Sequence, residues 1–321
     1  MNVAWNENDK RTLWIIASAL GWLSLTGACV WGLPFLWGVR DQTPQARTFA
    51  RRGENPRYTN PWAEQNVRVE SVKGRAHYLF DYRFLDADDR PQRSRWYHDR
   101  RFIDSLSAAF GVPPSMYEAY FPTPAELAKR KKLMDAGLFS MRGNVLGPDY
   151  KRIVALHKIV GKGPYLTMQK QLKARAVELE GHDPDKPYFA SPSEELIWAL
   201  RFCQDIPYQI PPLIHEGRYT NELWPPSALL TEAYGDCDSK SLLCAAILAN
   251  NPRHRVVVVE TPGHMLIGVR GVPNPYQLSI RYRNESYILC EPVGMARLDP
   301  GEPSDWVRNS STILGVYPVT F

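Results

Sequence analysis

The sequence has few cysteines and no strong compositional bias. Its 321 residues include 5 Cys, an odd and widely spaced set, which excludes a disulfide framework. Hydrophobic residues make up 44% of the chain and charged residues 23%, so wholesale disorder, collagen-like repeats and a coiled-coil rod are also excluded. With a mean hydropathy of −0.37, most of the chain is expected to form one or two soluble globular domains.

One segment lacks charge altogether. No Asp, Glu, Lys or Arg occurs from Thr12 to Gly38, and about 20 apolar residues are enough to span a bilayer as a helix. A cleaved signal peptide is the alternative, but its apolar core is usually about 7–15 residues long. The sequence therefore predicts a short tail at 1–11 and a retained single-pass transmembrane helix at 12–38.

The orientation of this helix is open. Arginines cluster just after the span, and this bias places the larger part of the chain in the cytoplasm. An anchor so close to the N-terminus, however, usually leaves that terminus inside. Four small residues lie at four-residue spacings, which suit packing against a membrane-protein partner or reflect only how common such residues are in membrane helices; they are Ala17, Gly21, Ala28 and Gly32.

Charge divides the rest of the chain. Residues 39–66 are polar and contain proline, as expected of a juxtamembrane linker. Residues 67–190 carry 22 Lys and Arg against 15 Asp and Glu, whereas residues 191–321 carry 10 against 14. This shift, together with the helix-breaking sequence GHDPDKP, predicts a basic, mostly helical middle segment at 67–189 and a separate domain at 190–321.

The middle segment mixes strand and helix patterns. Apolar and polar residues alternate from Val67 to Phe84, and a capping box begins a helix at Thr123. Further helices are expected near 102–110, 151–160 and 165–180. Two basic runs, at 93–101 and 129–132, suit nucleic acid or anionic lipid, or simply a solvated helix face beside a membrane. Since no nucleic-acid motif accompanies them, no specific nucleic acid is predicted.

The last third contains a candidate nucleophile. Asp236 can cap a helix whose first turn holds Cys237, and a helix N-terminus favours a thiolate. A cysteine there without a CxxC partner is typical of a nucleophile. A zinc site lacks paired ligand spacing, and neither a metal nor a cofactor is predicted. The sequence predicts Cys203 and Cys244 in the core, and His254, between two arginines, on the surface.

Strand patterns follow the candidate nucleophile. They lie at 255–260, 264–271, 277–282 and 287–291, so that His264 begins one strand and Glu291 ends another. In an antiparallel sheet packed on the helix, this order brings His264 beside the thiol. Glu291, one strand over, can then orient the imidazole. The sequence therefore predicts a Cys–His–Glu triad.

The motifs that carry this triad resemble those of a known family. They are Tyr234–Ser241 (YGDCDSKS), Pro262–Met265 (PGHM) and Ile288–Pro292 (ILCEP), with Phe202–Tyr208 and Trp224–Ser227 upstream. Together they resemble the bacterial transglutaminase-like superfamily of papain-fold proteins, over about residues 190–295. The family's commonest third residue is Asp, where this chain has Glu291. The resemblance implies an α+β domain with a nucleophile helix packed on an antiparallel sheet.

The resemblance also implies a reaction. Cys237 would be the nucleophile, His264 its base and later acid, and Glu291 the residue that orients His264. The backbone N–H of Cys237 would bind the oxyanion, with Gln209, Trp224 and Asp236 as weaker candidates for oxyanion or substrate contacts. A peptide or isopeptide amide would pass through a thioester to water, as in a cysteine protease, or to an amine, as in a crosslinking transglutaminase.

Other interpretations stay open. Membrane-anchored members of this superfamily are mostly regarded as proteases, which favours hydrolysis of a protein or peptide substrate at the inner membrane. These members commonly face outward, in contrast to the arginine-rich flank. A catalytically inactive module for binding or assembly is the alternative from another class. Arylamine acetyltransferases share the Cys–His–acid order but match the local motifs less well.

Overall fold

The computed structural model describes most of the chain from the end of the predicted linker onward, and the first strand begins within that linker, at Glu64. It covers Asn60 and residues 62–118, 123–142, 145–293, 297–302, 304–309 and 312–320. These residues belong to one compact unit that runs from Pro56 to Phe321. The transmembrane helix predicted at 12–38 lies outside the described residues. Among those residues, no helix is both long and apolar enough to cross a membrane.

Strands and helices alternate irregularly along the described chain. The strands are β1 (Glu64–Val72), β2 (Arg75–Leu85), β3 (Pro91–Asp99), β4 (Phe139–Arg142), β5 (Val145–Pro148), β6 (Ile214–His215), β7 (Arg218–Tyr219), β8 (Val256–Thr261), β9 (His264–Arg270), β10 (Ser279–Tyr282), β11 (Glu285–Cys290) and β12 (Gly315–Pro318). The helices are α1 (Arg100–Ala109), α2 (Ser115–Glu118), α3 (Pro124–Ala136), α4 (Tyr150–Glu180), α5 (Pro192–Gln204), α6 (Pro226–Glu232), α7 (Cys237–Leu248) and α8 (Asp305–Asn309). The predicted α+β class is therefore confirmed.

A five-stranded sheet in the C-terminal third supports the predicted nucleophile helix. Five antiparallel strands lie in the order β10-β11-β9-β8-β12, and α7 packs against β9. Every residue of α7 except Asp238 is buried, because α4, α5 and α6 cover its other faces. An apolar helix enclosed in this way can hold its first residue in a fixed position relative to the sheet.

The middle segment and the C-terminal third share one hydrophobic core. The first sheet is an antiparallel meander of β1, β2 and β3. Its buried Tyr82 and Phe84 contact Phe202 of α5 with ring centroids 5.4 and 5.5 Å apart. Tyr82 also donates a hydrogen bond to the backbone oxygen of Leu230 in α6, at 2.7 Å. The core is therefore continuous across residue 190, where the sequence predicted a boundary.

The longest helix, α4, joins two helices that the sequence predicted separately. It runs unbroken through Pro164, and the helix is buried on both sides of that residue, at Gly161 and at Met168. A Cβ atom on Gly161 would lie 2.4 Å from the backbone oxygen of Ala246 in α7, and one on Gly163 would lie 2.2 Å from the Trp96 ring. The two glycines thus let α4 approach the backbone of α7 and the Trp96 side chain of β3 closely.

Candidate active site

Cys237 is the first residue of α7, as predicted. Asp236 caps the helix: its Oδ1 atom accepts hydrogen bonds from the backbone N–H of Ser239 at 3.0 Å and from the Ser239 hydroxyl at 2.6 Å. Cys237 is 8% exposed. An Asp N-cap satisfies N–H groups that the first helical turn leaves unpaired, and so the Asp236–Cys237 order places the thiol at the helix start.

The thiol environment differs from the predicted one. Burial, together with the carboxyls of Asp238 and Asp236, raises the pKa of the Cys237 thiol well above its usual value, although the backbone N–H of Met265 lowers it. The Sγ atom donates a hydrogen bond to Oδ1 of Asp238 at 3.1 Å. The prediction of a thiolate from the helix terminus was therefore wrong, because desolvation and two neighbouring acidic groups outweigh the helix dipole.

His264 and Glu291 lie in direct contact. His264 begins β9, and Glu291 follows β11, the strand that pairs with β9. The His264 Nε2 atom lies 2.6 Å from Oε1 of Glu291. Since an ionised carboxylate only accepts hydrogen bonds, this contact places the imidazole proton on Nε2 and leaves the lone pair on Nδ1. This is the tautomer that a general base needs on the side away from its orienting acid.

Glu291 is held from several sides. Its side chain is 4% exposed, and its Oε2 atom accepts a hydrogen bond from the backbone N–H of Ser304 at 2.6 Å. The Ser304 hydroxyl donates to Oε1 at 2.9 Å, and Gln204 donates to the backbone oxygen of Glu291 at 3.0 Å. Neither Ser304 nor Gln204 was predicted, because both act through tertiary contacts that no local motif encodes.

The described contacts do not join all three predicted residues. No hydrogen bond links Cys237 to His264 within the described part of the chain, where Nδ1 of His264 also makes none. The residue next to His264 acts on the thiol, since the Met265 backbone lowers the pKa of Cys237. Burial raises the pKa of the Asp238 carboxyl, while the Cys237 thiol and the charge of His264 lower it. Asp238 therefore interacts with both the nucleophile and the base.

Of the weaker site candidates, Trp224 has an unused donor. Its backbone N–H donates to the Ser239 hydroxyl at 2.9 Å, which ties it to the first turn of α7. Its indole Nε1–H is buried and has no hydrogen-bond partner among the described residues. Gln209 lies beside the same turn, with its backbone N–H 3.3 Å from the oxygen of Gly235, but its side chain is exposed. Asp236 serves as the helix cap.

The middle segment reaches this site through Arg142 of β4. Arg142 Nη1 lies 2.6 Å from Oε1 of Glu260, and its guanidinium carbon lies 4.3 Å from the ring centroid of Tyr150 and 4.8 Å from that of Tyr317. Both tyrosine hydroxyls also donate to Glu260, at 2.5 and 2.9 Å. Burial keeps the pKa of Asp238 raised, and the nearby charges of Glu260 and Arg142 act on it in opposite directions, Glu260 raising it and Arg142 lowering it. The sequence did not indicate this influence.

One predicted surface residue is buried. His254 is 2% exposed and its Nε2 atom lies 2.7 Å from Oε2 of Glu195 in α5. Asn251 donates to the same carboxylate oxygen at 2.7 Å. The flanking arginines suggested exposure, but a partner 59 positions away compensates the buried imidazole. Cys203 and Cys244, in contrast, are buried as predicted.

One group of side chains has a spacing compatible with a metal ion. Ligand atoms of Asp236, Cys237 and Asp238 all lie within 4.8 Å of one another. In this arrangement, however, Asp236 accepts from Ser239 and Asp238 accepts from the Cys237 thiol. These bonds account for the group as a helix cap and a thiol contact.

The chain was also compared with known proteins. No protein-family model, curated protein or solved structure matches it significantly. The transglutaminase-like resemblance therefore stays a prediction that depends on the motifs around Cys237, His264 and Glu291.

Proposed function

We propose that this protein is a thiol-dependent acyl-transfer enzyme, a cysteine peptidase or amidohydrolase that acts on a peptide or isopeptide bond. Cys237 is the nucleophile, His264 the base and Glu291 the residue that orients His264. The observation that supports this most directly is the 2.6 Å contact between His264 Nε2 and Glu291 Oε1. The two residues are 27 positions apart and lie beside a helix that begins with a cysteine.

The reaction begins with a proton transfer. The Cys237 side chain turns from Asp238 toward His264, and Nδ1 of His264 accepts the thiol proton. The thiolate attacks the substrate carbonyl, and the backbone N–H of Cys237 binds the oxyanion. The buried indole N–H of Trp224 is the second donor, once substrate displaces the side chains that cover it. His264 then protonates the departing amine, which leaves a thioester on Cys237.

The acceptor of the acyl group decides the outcome. Water, deprotonated by His264, hydrolyses the thioester and gives proteolysis or deamidation. A primary amine gives a crosslink instead. Hydrolysis is the proposal, and incubation with a labelled primary amine distinguishes the two: incorporation of label into protein that depends on Cys237 identifies a crosslinking enzyme.

The location of the enzyme is part of the proposal. The apolar segment 12–38, which lies outside the described residues, anchors the protein in the inner membrane as a single span. A reporter fused to the C-terminus, active on only one side of the membrane, identifies the side that the Cys237 site faces.

A second candidate is supported by the thiol environment. The Cys237–Asp238 hydrogen bond and the raised pKa of the thiol favour a catalytically inactive module that binds or assembles proteins at the membrane. In that case Cys237 is a buried side chain of α7 and the acidic pair around it is structural.

Thiol labelling separates these candidates. The full chain is treated with iodoacetamide near pH 7, and labelling of Cys237 is followed by peptide mapping. An enzyme is expected to label rapidly and to lose this reactivity in His264→Ala, whereas His77→Ala, on the central strand β2 of the first sheet, leaves it unchanged. Labelling of Cys237 as slow as that of buried Cys244, with no effect of His264→Ala, would overturn the proposed activity.

A further inference from the structure

Ser304 contributes two donors to one carboxylate. Its backbone N–H lies 2.6 Å from Oε2 of Glu291, and its hydroxyl lies 2.9 Å from Oε1. The second of these oxygens also contacts Nε2 of His264 at 2.6 Å. Three hydrogen bonds to two oxygens fix both the position and the plane of the Glu291 carboxylate.

Glu291 needs such a constraint. Glutamate has one more rotatable bond than the aspartate typical of the resembled family, and its side chain loses more conformational freedom when it is fixed. A single contact with His264 would leave the carboxylate free to turn about its terminal bond. Orienting groups of this kind usually depend on partners of their own.

The position of Ser304 is itself fixed. It directly precedes α8, and its backbone oxygen accepts a hydrogen bond from Arg308 N–H at 3.0 Å. Val307 of α8 is 5% exposed and belongs to the small core cluster that includes Leu266 of β9 and Leu289 of β11. The segment that carries Ser304 is therefore packed on the same two strands that carry His264 and Glu291.

We propose that Ser304 is a positioning residue that locks the Glu291 carboxylate, so that His264 keeps its proton on Nε2 and presents the lone pair of Nδ1 for the thiol. This inference rests on the proposed function, because the restraint that Ser304 places on Glu291 serves the same reaction. Ser304 does not touch the reacting atoms. Its effect passes through Glu291 to the tautomer of His264.

The tautomer gives a direct test. In the full chain labelled with 15N-histidine, the His264 nitrogen signals are assigned from their loss in His264→Ala. The wild-type protein is expected to show the Nε2–H form, and Ser304→Ala is expected to show a mixture of both tautomers. Ser286→Ala, the same change near the start of β11, serves as the matched control and keeps the wild-type spectrum. An unchanged His264 spectrum in Ser304→Ala would overturn the proposal.

The pH profile of Cys237 labelling supplies a second test. Ser304→Ala is expected to slow iodoacetamide labelling near pH 7 by about tenfold. At a pH high enough to deprotonate the thiol without a base, the wild-type and Ser304→Ala rates converge. A general loosening of the fold would instead increase labelling of buried Cys203 and Cys244, and such a result refutes the specific role of Ser304.

The same experiment separates the two proposals. If His264→Ala leaves the labelling of Cys237 unchanged, the proposed function is refuted. If His264→Ala slows labelling and Ser304→Ala does not, only the role of Ser304 is refuted.

Discussion

The thiol of Cys237 and the carboxyl of Asp238, adjacent in sequence, form a hydrogen bond of 3.1 Å between Sγ and Oδ1. The bond holds the thiol in its protonated form at the start of α7. The charge of His264 lowers the pKa of Asp238, and in the proposed reaction a rotation of the cysteine side chain exchanges Asp238 for His264 as its partner. Asp238 thus opposes the activation that the proposed reaction requires.

The first prediction concerns the effect of Asp238 on the reactivity of the Cys237 thiol. Asp238→Asn removes a negative charge that raises the pKa of the Cys237 thiol, so labelling of Cys237 near pH 7 is expected to speed up by about tenfold. Asp185→Asn, in the exposed turn before α5, is the control and leaves the rate unchanged. Slower labelling in Asp238→Asn would show that the carboxyl assists the thiol instead.

The second prediction concerns the unpaired indole of Trp224. Trp224→Phe keeps an aromatic ring and removes the Nε1–H donor. Acylation by the activated ester p-nitrophenyl acetate is expected to slow by about 100-fold, as for loss of an oxyanion donor, whereas iodoacetamide labelling of Cys237 stays the same. Trp62→Phe, at an exposed tryptophan, is the control. Equal losses in both reactions would indicate a general disturbance of α7.

The third prediction concerns stability. A Cβ at Gly161 would lie 2.4 Å from a backbone oxygen of α7, an atom that cannot move without shifting the helix. Gly161→Ala is therefore expected to lower the free energy of unfolding by about 1–3 kcal/mol, despite the higher helix propensity of alanine. Chemical denaturation measures this change. The exposed neighbour Lys162→Ala should change stability by less than about 0.5 kcal/mol, and an equal effect of both would contradict the contact.

The fourth prediction concerns pH. Burial lowers the pKa of His157 from 6.5 to about 4, so the unfolded chain binds this proton more tightly than the folded chain. The free energy of unfolding is therefore expected to fall as the pH drops from 6.5 toward 4, by about 3 kcal/mol from this residue. Burial lowers the pKa of His98 as well, which acts in the same direction.

Thermal unfolding of two variants across this pH range tests the assignment. His157→Gln removes the titrating group, and its melting temperature should depend less steeply on pH than that of the wild type. His77→Gln should keep the wild-type slope. The slopes are compared rather than the absolute stabilities, because His157→Gln also changes the hydrogen bond of 3.1 Å to Ser227.

Local sequence signals predicted the parts of the site that depend on local structure. The capping box predicted at Thr123 is present, Cys237 begins α7, and His264 begins β9. Each depends on residues within four positions of one another, where capping and strand patterns are informative. The contact between His264 and Glu291 followed from strand order alone.

The remaining features depend on distant residues. The continuity of α4 through Pro164 requires α7 and Trp96, the burial of His254 requires Glu195, and the lock on Glu291 requires Ser304. The raised pKa of Cys237 comes from burial and two carboxyls, which local sequence reasoning weighed less than the helix start. Tertiary packing and desolvation outweigh local propensity at each of these positions.

The backbone contact between α4 and α7 is expected to keep the two parts of the chain together even when the peptide link between them is cut. The turn at 182–187 is exposed for most of its length and joins α4 to the half that carries Cys237. A protease that cuts there would sever one covalent link and leave the shared core closed, since Gly161 still lies against Ala246. The two fragments are therefore expected to elute together as a nicked complex in gel filtration under native conditions. They would behave like the complementing halves of a split protein.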